Sequence, residues 1–221
     1  MVQDLIIVGA GGTSRYIAWA VDELNRVRPT WRLRGFLDDD AAKKGLDVDG
    51  YPVLGPIDSV AEYLSCRFVV GIATDKNPLA RELVVRRLGL EPDRFPALIH
   101  PSAAVSPHAE VGPGAVVLNQ AVVQPGVVLG RHVIVSPLCV LGHGACAEDY
   151  VTIATSATVS GSVRLGRGVY VGARSVILPG LQIGEAAIAG IGSVVVKDVS
   201  AGTTVFGNPA RPLPRTRRAM S

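Results

Sequence analysis

Every sixth residue in the second half of the chain is aliphatic. The beat runs Ile99, Val105, Val111, Val117, Val123, Leu129, Val135, Leu141, Ala147, Ile153, Val159, Leu165, Val171, Ile177, Ile183, Ala189, Val195, Ala201, eighteen repeats with no insertion. Four residues after each beat stands a second inward candidate, usually small, as in Ala103, Ala109, Ala115, Ala121, Val127, Val133, Cys139 and Ala145, with Leu181 the one large member. An amphipathic helix repeats about every 3.6 residues and a half-buried strand about every two, so neither gives this spacing. A hexapeptide period marks a parallel β-helix, in which short strands stack coil upon coil. Three hexads close one triangular coil, so the region predicts six coils and, at roughly 4.8 Å per coil, a prism on the order of 25–30 Å long. Glycines such as Gly112, Gly114, Gly126, Gly130, Gly142, Gly166 and Gly168 fall between beats, where corners require sharp turns.

The beat begins near residue 99, so the 221 residues divide into a first domain, 1–96, and a solenoid domain with its tail, 97–221. Pro96 and Pro101 punctuate the junction at Arg94–His100. A net charge of +3 implies no broad basic surface and argues against nucleic acid as a partner. Mean hydropathy is positive, +0.33, but no run of about 18 apolar residues is free of interruption, so no spanning helix is expected. Met1–Gly9 reads as a strand without a basic leader or cleavage signal. Cys66, Cys139 and Cys146 show no metal spacing and read as reduced thiols of a cytoplasmic protein.

The first domain alternates strand and helix: an apolar strand Asp4–Val8, a helix from Arg15 to about Val27, a strand near Leu33–Leu37, a helix around Asp58–Leu64, an apolar run Phe68–Ile72 and a helix over Leu79–Leu88. This order predicts a small parallel, Rossmann-like sheet. The turn Gly9-Ala-Gly-Gly-Thr-Ser14 joins the first strand to the first helix, the place where backbone approaches a phosphate at a helix N-terminus. Asp38, Asp39 and Asp40 end the second strand, where a carboxylate reaches ribose hydroxyls. Gly9, Gly11 and Ser14 occupy the three fingerprint positions, so the last glycine is lost. About 95 residues supply one mononucleotide half rather than two, which disfavours a nicotinamide dehydrogenase and favours a nucleotide-linked small molecule. Gly45–Gly55 reads as a loop carrying a short strand beside that site.

Four histidines are present: His100, His108, His132 and His143. Their spacings match no metal site, and no metal is expected. His100, His108 and His132 read as surface or junction residues. His143 is the third residue of the hexad Leu141-Gly-His-Gly-Ala-Cys146, a position that points away from the interior, where an imidazole is free to accept a proton near neutral pH.

The chain resembles the bacterial sugar O- and N-acetyltransferases of the hexapeptide-repeat class, which include sialic acid O-acetyltransferases and nucleotide-linked amino-sugar N-acetyltransferases. The likeness covers nearly the whole chain and is carried by Ile6-Ile-Val-Gly-Ala-Gly-Gly12, Gly35-Phe-Leu-Asp-Asp39, Tyr51-Pro-Val-Leu-Gly55, Ile99-His-Pro-Ser-Ala103, the hexads and Val205-Phe-Gly-Asn-Pro-Ala-Arg211. It implies a left-handed β-helix, a homotrimer, and acetyl-CoA bound between subunits. It assigns His143 as general base, Gly161, Gly190 and Ile191 to backbone contacts with acetyl-CoA, and Gly9, Gly11, Gly12, Thr13, Asp38 and Asp39 to the nucleotide. The basic tail from Arg211 to Arg218 is read as a contact for the CoA phosphates or a solvated end. Two departures stand out: Gly144 replaces the acid that often follows the base, and Thr152 replaces a second histidine nine residues on. Glu148, Asp149, a carbonyl or a neighbouring chain are the candidate substitutes for orienting His143. The expectation is an acetyl-CoA-dependent acetyltransferase acting on a nucleotide-activated sugar; the alternatives are an O-acetyltransferase on a free sugar such as sialic acid, or a catalytically silent nucleotide-sugar-binding scaffold.

Overall fold

The computed structural model describes residues 2–213. Strands β1 (Gln3–Val8), β2 (Trp31–Leu37), β3 (Asp47–Val48), β4 (Tyr51–Gly55) and β5 (Arg67–Val70) form one sheet in the order β3-β4-β2-β1-β5. All neighbours run parallel except the β3–β4 hairpin. β1 is apolar on both faces: Leu5 and Ile7 enter one core while Ile6 and Val8 enter another, as a strand covered on both sides requires. Helix α1 (Gly12–Val27) begins three residues before the expected Arg15 and buries Ser14, Ile17, Ala18, Ala20 and Val21, a single helical face. It stops at Val27, two residues before Pro29, and Asn25 closes the turn by accepting the amides of Thr30 and Trp31. Helix α2 is Ala80–Leu88.

Two expectations change here. The helix expected around Asp58–Leu64 is a 3₁₀ stretch, Ile57–Tyr63, too short to sustain an independent α-helix. Gly45–Gly55 supplies a hairpin rather than a loop with one strand, and β4 joins the sheet beside β2. Gly35 permits that pairing, because a β-carbon there would lie 2.2 Å from the Pro52 carbonyl oxygen.

From Leu98 onward the chain is a parallel β-helix of two-residue strands, each paired with the strands eighteen residues before and after it. The inward beats and their small companions form one continuous core. Ser175 and Ser193 are the polar members of that inward series, and Ser175 Oγ donates to the Gly190 carbonyl at 2.7 Å. The beat fails at its last step. After Val195 the next inward residue is Val199, then Val205, while Ala201 is exposed at a turn. The closing pairs Ile183–Val199 and Ile188–Thr204 are sixteen residues apart instead of eighteen. In the shortened segment, Asp198 Oδ1 accepts the Gln182 amide at 2.8 Å, substituting a carboxylate for a ladder carbonyl.

Each corner between Gly114 and Gly192 turns on a residue with positive φ, fourteen in register, and eight of these are not glycine, among them Leu138, Tyr150 and Arg174. A left-handed non-glycine residue costs roughly 1–2 kcal/mol. Here seven of the eight amides donate to a carbonyl of the preceding coil, as Leu138 does to Asn119 and Tyr150 to Arg131, and that of Gln120 donates to Ser102 Oγ; these bonds offset the strain.

The prism has three outer faces. Leu98, Val116 and Ile134 on the first are buried under the α/β unit, in one core with Leu5, Ile7 and the apolar side of α1. The second, with Val122, Val140, Thr158, Val176 and Val194 pointing outward, is apolar and half-buried. The third presents Glu110, Val128, Cys146, Arg164 and Gln182. A second junction pins the α/β unit to the corner between the first and third faces. His132, buried there, lies flat on Tyr150 (5.4 Å between centroids, 2° between planes) and edge-on to Phe95 at 4.8 Å. Arg81 of α2 is buried and donates to the carbonyls of Ile72, Tyr150 and Val151 and to Thr152 Oγ1, all within 3.0 Å. Burial draws its pKa down to about 9, so it remains charged at neutral pH.

Candidate active site

The six residues expected to meet a nucleotide, Gly9, Gly11, Gly12, Thr13, Asp38 and Asp39, line one cavity of about 380 Å³. Gly9 turns with φ +93, a conformation that β-branched residues avoid, and its amide donates to the Leu37 carbonyl at 2.7 Å. Gly11 caps α1 with no side-chain hydrogen bond, and the first turn holds no acid, so the helix N-terminus presents amides and a positive dipole end to the cavity. Asp38 accepts the Ala10 amide at 2.7 Å, the Asp40 amide at 2.9 Å and the Lys43 ammonium at 3.1 Å. Burial works against its ionisation, but the amides of Asp40 and Ala10 and the Lys43 charge outweigh it and hold the carboxyl below its usual range. Asp39 instead accepts the Ile57 amide and pairs with Arg87 of α2 at 2.6 Å.

Lys43, Ile57, Gly71, Ile72, Ala73, Ala80 and Val84 complete this cavity and were not singled out from the sequence. The lost third glycine has an explanation in Gly71. Ser14, buried at the fingerprint's third position, sits against the end of β5, and a β-carbon on Gly71 would fall 2.2 Å from Ser14 Oγ. The close approach of helix to strand is kept by placing the small residue on the strand. A glycine within the apolar run Phe68–Ile72 was the one signal available.

His143 lies on the corner between the second and third faces, with its side chain exposed. Its backbone is fixed from both neighbouring coils: its amide donates to Gln124 Oε1 at 2.9 Å and its carbonyl accepts the Ser162 amide at 2.9 Å. The imidazole rests over Gly161, one coil on, where a β-carbon would stand 2.7 Å from Nε2. Gly161 therefore seats the ring. Neither candidate acid reaches it: Glu148 accepts the Arg167 amide and Asp149 pairs with Arg131 at 2.6 Å, both on the corner between the first and third faces. Among the described residues no side chain bonds either ring nitrogen. Thr152, in place of a second histidine, is buried on the first face and spent on Arg81.

Gly190 and Ile191 lie on the corner between the first and second faces, across the apolar face from His143. The Gly190 amide is committed to the Val205 carbonyl at 2.8 Å, so it is not free to meet an oxyanion. The amides of Gly161 and Ile191 take no backbone acceptor among the described residues. Arg211, on the last strand Ala210–Pro212, is exposed and lines a cavity of about 420 Å³ with Lys197 at the end of the prism. The rest of the basic tail, residues 214–218, lies outside the described residues. Among those described, no cluster of His, Cys, Asp or Glu is arranged to hold a metal, and no helix is long and apolar enough to cross a membrane.

Residues 4–88 match the model of the PglD N-terminal domain. GDP-perosamine N-acetyltransferase of Escherichia coli O157:H7 is 35% identical over 187 residues, 82% of each chain. Chloramphenicol acetyltransferase of E. coli is 40% identical over 52 residues only, so this chain spans about a quarter, 25%, of that relative. Among solved structures, the acetyltransferase domain of PglB from Neisseria gonorrhoeae FA1090, in complex with acetyl coenzyme A, aligns over 96% of this chain and 100% of its own, with a TM-score of 0.85 and 32% identity. The chain belongs to the hexapeptide-repeat family of bacterial nucleotide-sugar acetyltransferases. Its solenoid is the left-handed parallel β-helix of that family.

Proposed function

We propose that the protein transfers an acetyl group from acetyl-CoA to the amine of a nucleotide-linked amino sugar. One observation carries this reading: the uncapped start of α1, Asp38 and the glycine turn form a single cavity suited to a nucleoside diphosphate, in a chain 35% identical to a GDP-perosamine N-acetyltransferase. His143 acts as general base. It takes a proton as the neutral amine attacks the thioester carbonyl, the tetrahedral intermediate collapses, the C–S bond breaks and CoA leaves as its thiol. The free amides of Gly161 and Ile191 are the candidate donors to the developing oxyanion, and Arg211 to the CoA phosphates. The acetyl-CoA complex of the gonococcal relative supports the donor.

The site belongs between subunits of a homotrimer. His143 and Ile191 sit on opposite edges of the apolar second face. Turning three copies of that face toward a common axis buries Val122, Val140, Val176 and Val194. It also sets the His143 edge of one copy beside the Ile191 edge of the next. The three free cysteines and the use of acetyl-CoA support a cytoplasmic setting for the reaction. The test is release of CoA thiol with amino sugars linked to UDP, GDP, dTDP or CMP, with sedimentation to count subunits. Turnover with one of these on a trimer is expected. Turnover on free sialic acid alone, or on no acceptor at all, overturns the proposal.

A further inference from the structure

A second cavity of about 370 Å³ opens on the other side of the same helix N-terminus. Gly12 belongs to both walls, and the new cavity adds Arg15, Tyr16, Trp19 and Asp49. Tyr16 and Trp19, three residues apart on α1, are 47% and 48% exposed, although the opposite face of the helix is fully packed. Two large aromatic rings left open on a helix whose core needs are already met call for a ligand. The wall across from them is braced. Arg15 grips Asp49 at the hairpin tip with two hydrogen bonds, 2.7 and 2.8 Å, and Tyr51 Oη donates to Asp22 at 2.5 Å, so the hairpin is tied to α1.

We propose that this cleft holds the sugar ring of the nucleotide-linked acceptor, with Tyr16 and Trp19 as its stacking faces and the Arg15–Asp49 pair as its hydroxyl-binding wall. The assignment rests on the nucleotide reading above and deepens it. A nucleotide sugar is a linear object: nucleoside, diphosphate, sugar. The cavity beyond Gly12 toward Asp38, Ile57 and Val84 has the carboxylate and apolar walls for a nucleoside, and the shared helix N-terminus suits the diphosphate. The sugar then lies on the side of Tyr16 and Trp19. That side also points toward the chemistry. The Trp19 ring meets the His100 ring edge-on at 6.2 Å, on the corner joining the first and second faces. This is the edge that the proposed trimer sets beside His143 of the next copy, about two coils, roughly 10 Å, further along the axis. The C–H-rich face of a pyranose stacks on aromatic rings, and a rigid ion pair discriminates hydroxyl positions.

The test uses the full-length protein, calorimetry with UDP, GDP, dTDP and CMP and with amino sugars linked to each, and turnover assays. Trp19→Ala and Tyr16→Ala are each expected to weaken the nucleotide sugar about tenfold in Kd and KM and leave the bare nucleotide within twofold, with Trp19→Phe recovering most of the loss. If wild type binds none of the four nucleotide sugars, the nucleotide reading fails and this inference with it. If wild type binds one, but the alanine variants lose bare nucleotide and nucleotide sugar equally, or lose neither, only the sugar assignment is overturned. A change in sedimentation of the variants would make the aromatic pair a contact between copies and overturn the assignment likewise.

Discussion

In the solenoid, paired residues stand eighteen apart, from Leu98 and Val116 through to Val176 and Val194. In the α/β unit no such rule exists. Ser14 is accommodated by Gly71, Gly35 by Pro52, and Arg15 by Asp49, partners 57, 17 and 34 positions away. The two halves also divide the chemistry. The solenoid holds His143 by its backbone, between Gln124 and Ser162, and leaves the imidazole bare. The α/β unit builds its cavity from side chains and helix ends that converge from five separate segments. A repeat gives rigidity and register to a single group, whereas a non-repeating layer can shape an irregular cavity from distant segments.

The sharpest way to break this contrast is to remove the group the solenoid carries. His143→Ala should lower kcat by about 10²–10⁴, the usual consequence of losing a general base, while leaving nucleotide-sugar binding in the α/β cavity within about twofold. Thermal stability should be unchanged, because the side chain is exposed and its backbone bonds persist. Unchanged turnover would remove the imidazole from the reaction and leave the solenoid as a scaffold.

The halves differed in legibility for the same physical reason. Seventeen of the eighteen beats enter the core or pack against it, and the corner bearing His143 follows from counting alone. The last beat slipped from Ala201 to Val199, since the terminal coil lacks a next coil to enforce its length and Asp198 can stand in for a carbonyl. The corners themselves were only partly legible: half or more of the left-handed positions carry side chains such as Leu138 and Tyr150, because bonds between coils offset the strain. In the α/β unit the glycine turn and Asp38 were legible as local motifs. Gly71, Lys43 and the β3–β4 hairpin were not, for each acquires its role from a partner distant in sequence. Arg81 escaped notice on the same grounds, and His132 was read only as a surface or junction residue, since what buries them both is the junction of the two halves.

That junction gives a pH test. Burial, followed by the nearby charges of Arg81 and Arg131, lowers the pKa of His132 to about 4 from its ordinary 6.5, with Asp149 opposing. The unfolded chain therefore takes up the proton first as pH falls. Stability is full above about pH 6.5 and is lost progressively toward pH 4, by roughly 3 kcal/mol from this residue. His132→Phe keeps the flat contact with Tyr150 and removes the titration. Urea unfolding at pH 7 and pH 4.5 should show wild type losing about 2–3 kcal/mol more than the variant between the two. Parallel losses would mean that the ring stays solvated and that the two halves are less tightly joined than the stacking with Phe95 and Tyr150 indicates.

The smallest effect expected, and the most discriminating for the solenoid's own logic, comes from Gly161→Ala. The added methyl would fall 2.7 Å from Nε2 and 2.9 Å from Cε1 of His143, atoms at the end of a mobile, exposed side chain, so the ring gives way and the fold does not. The backbone bond from Gly180 to the Gly161 carbonyl is untouched. Melting temperature should therefore stay within a few degrees, while kcat falls about tenfold through misplacement of the base. KM for the nucleotide sugar should stay within about twofold, because the cavity proposed for it lies in the other half of the chain. A matching loss in His143→Ala and in the double variant would place both residues on one pathway. A fall in stability without a fall in kcat would show instead that the position matters to coil stacking and not to the seat of the imidazole.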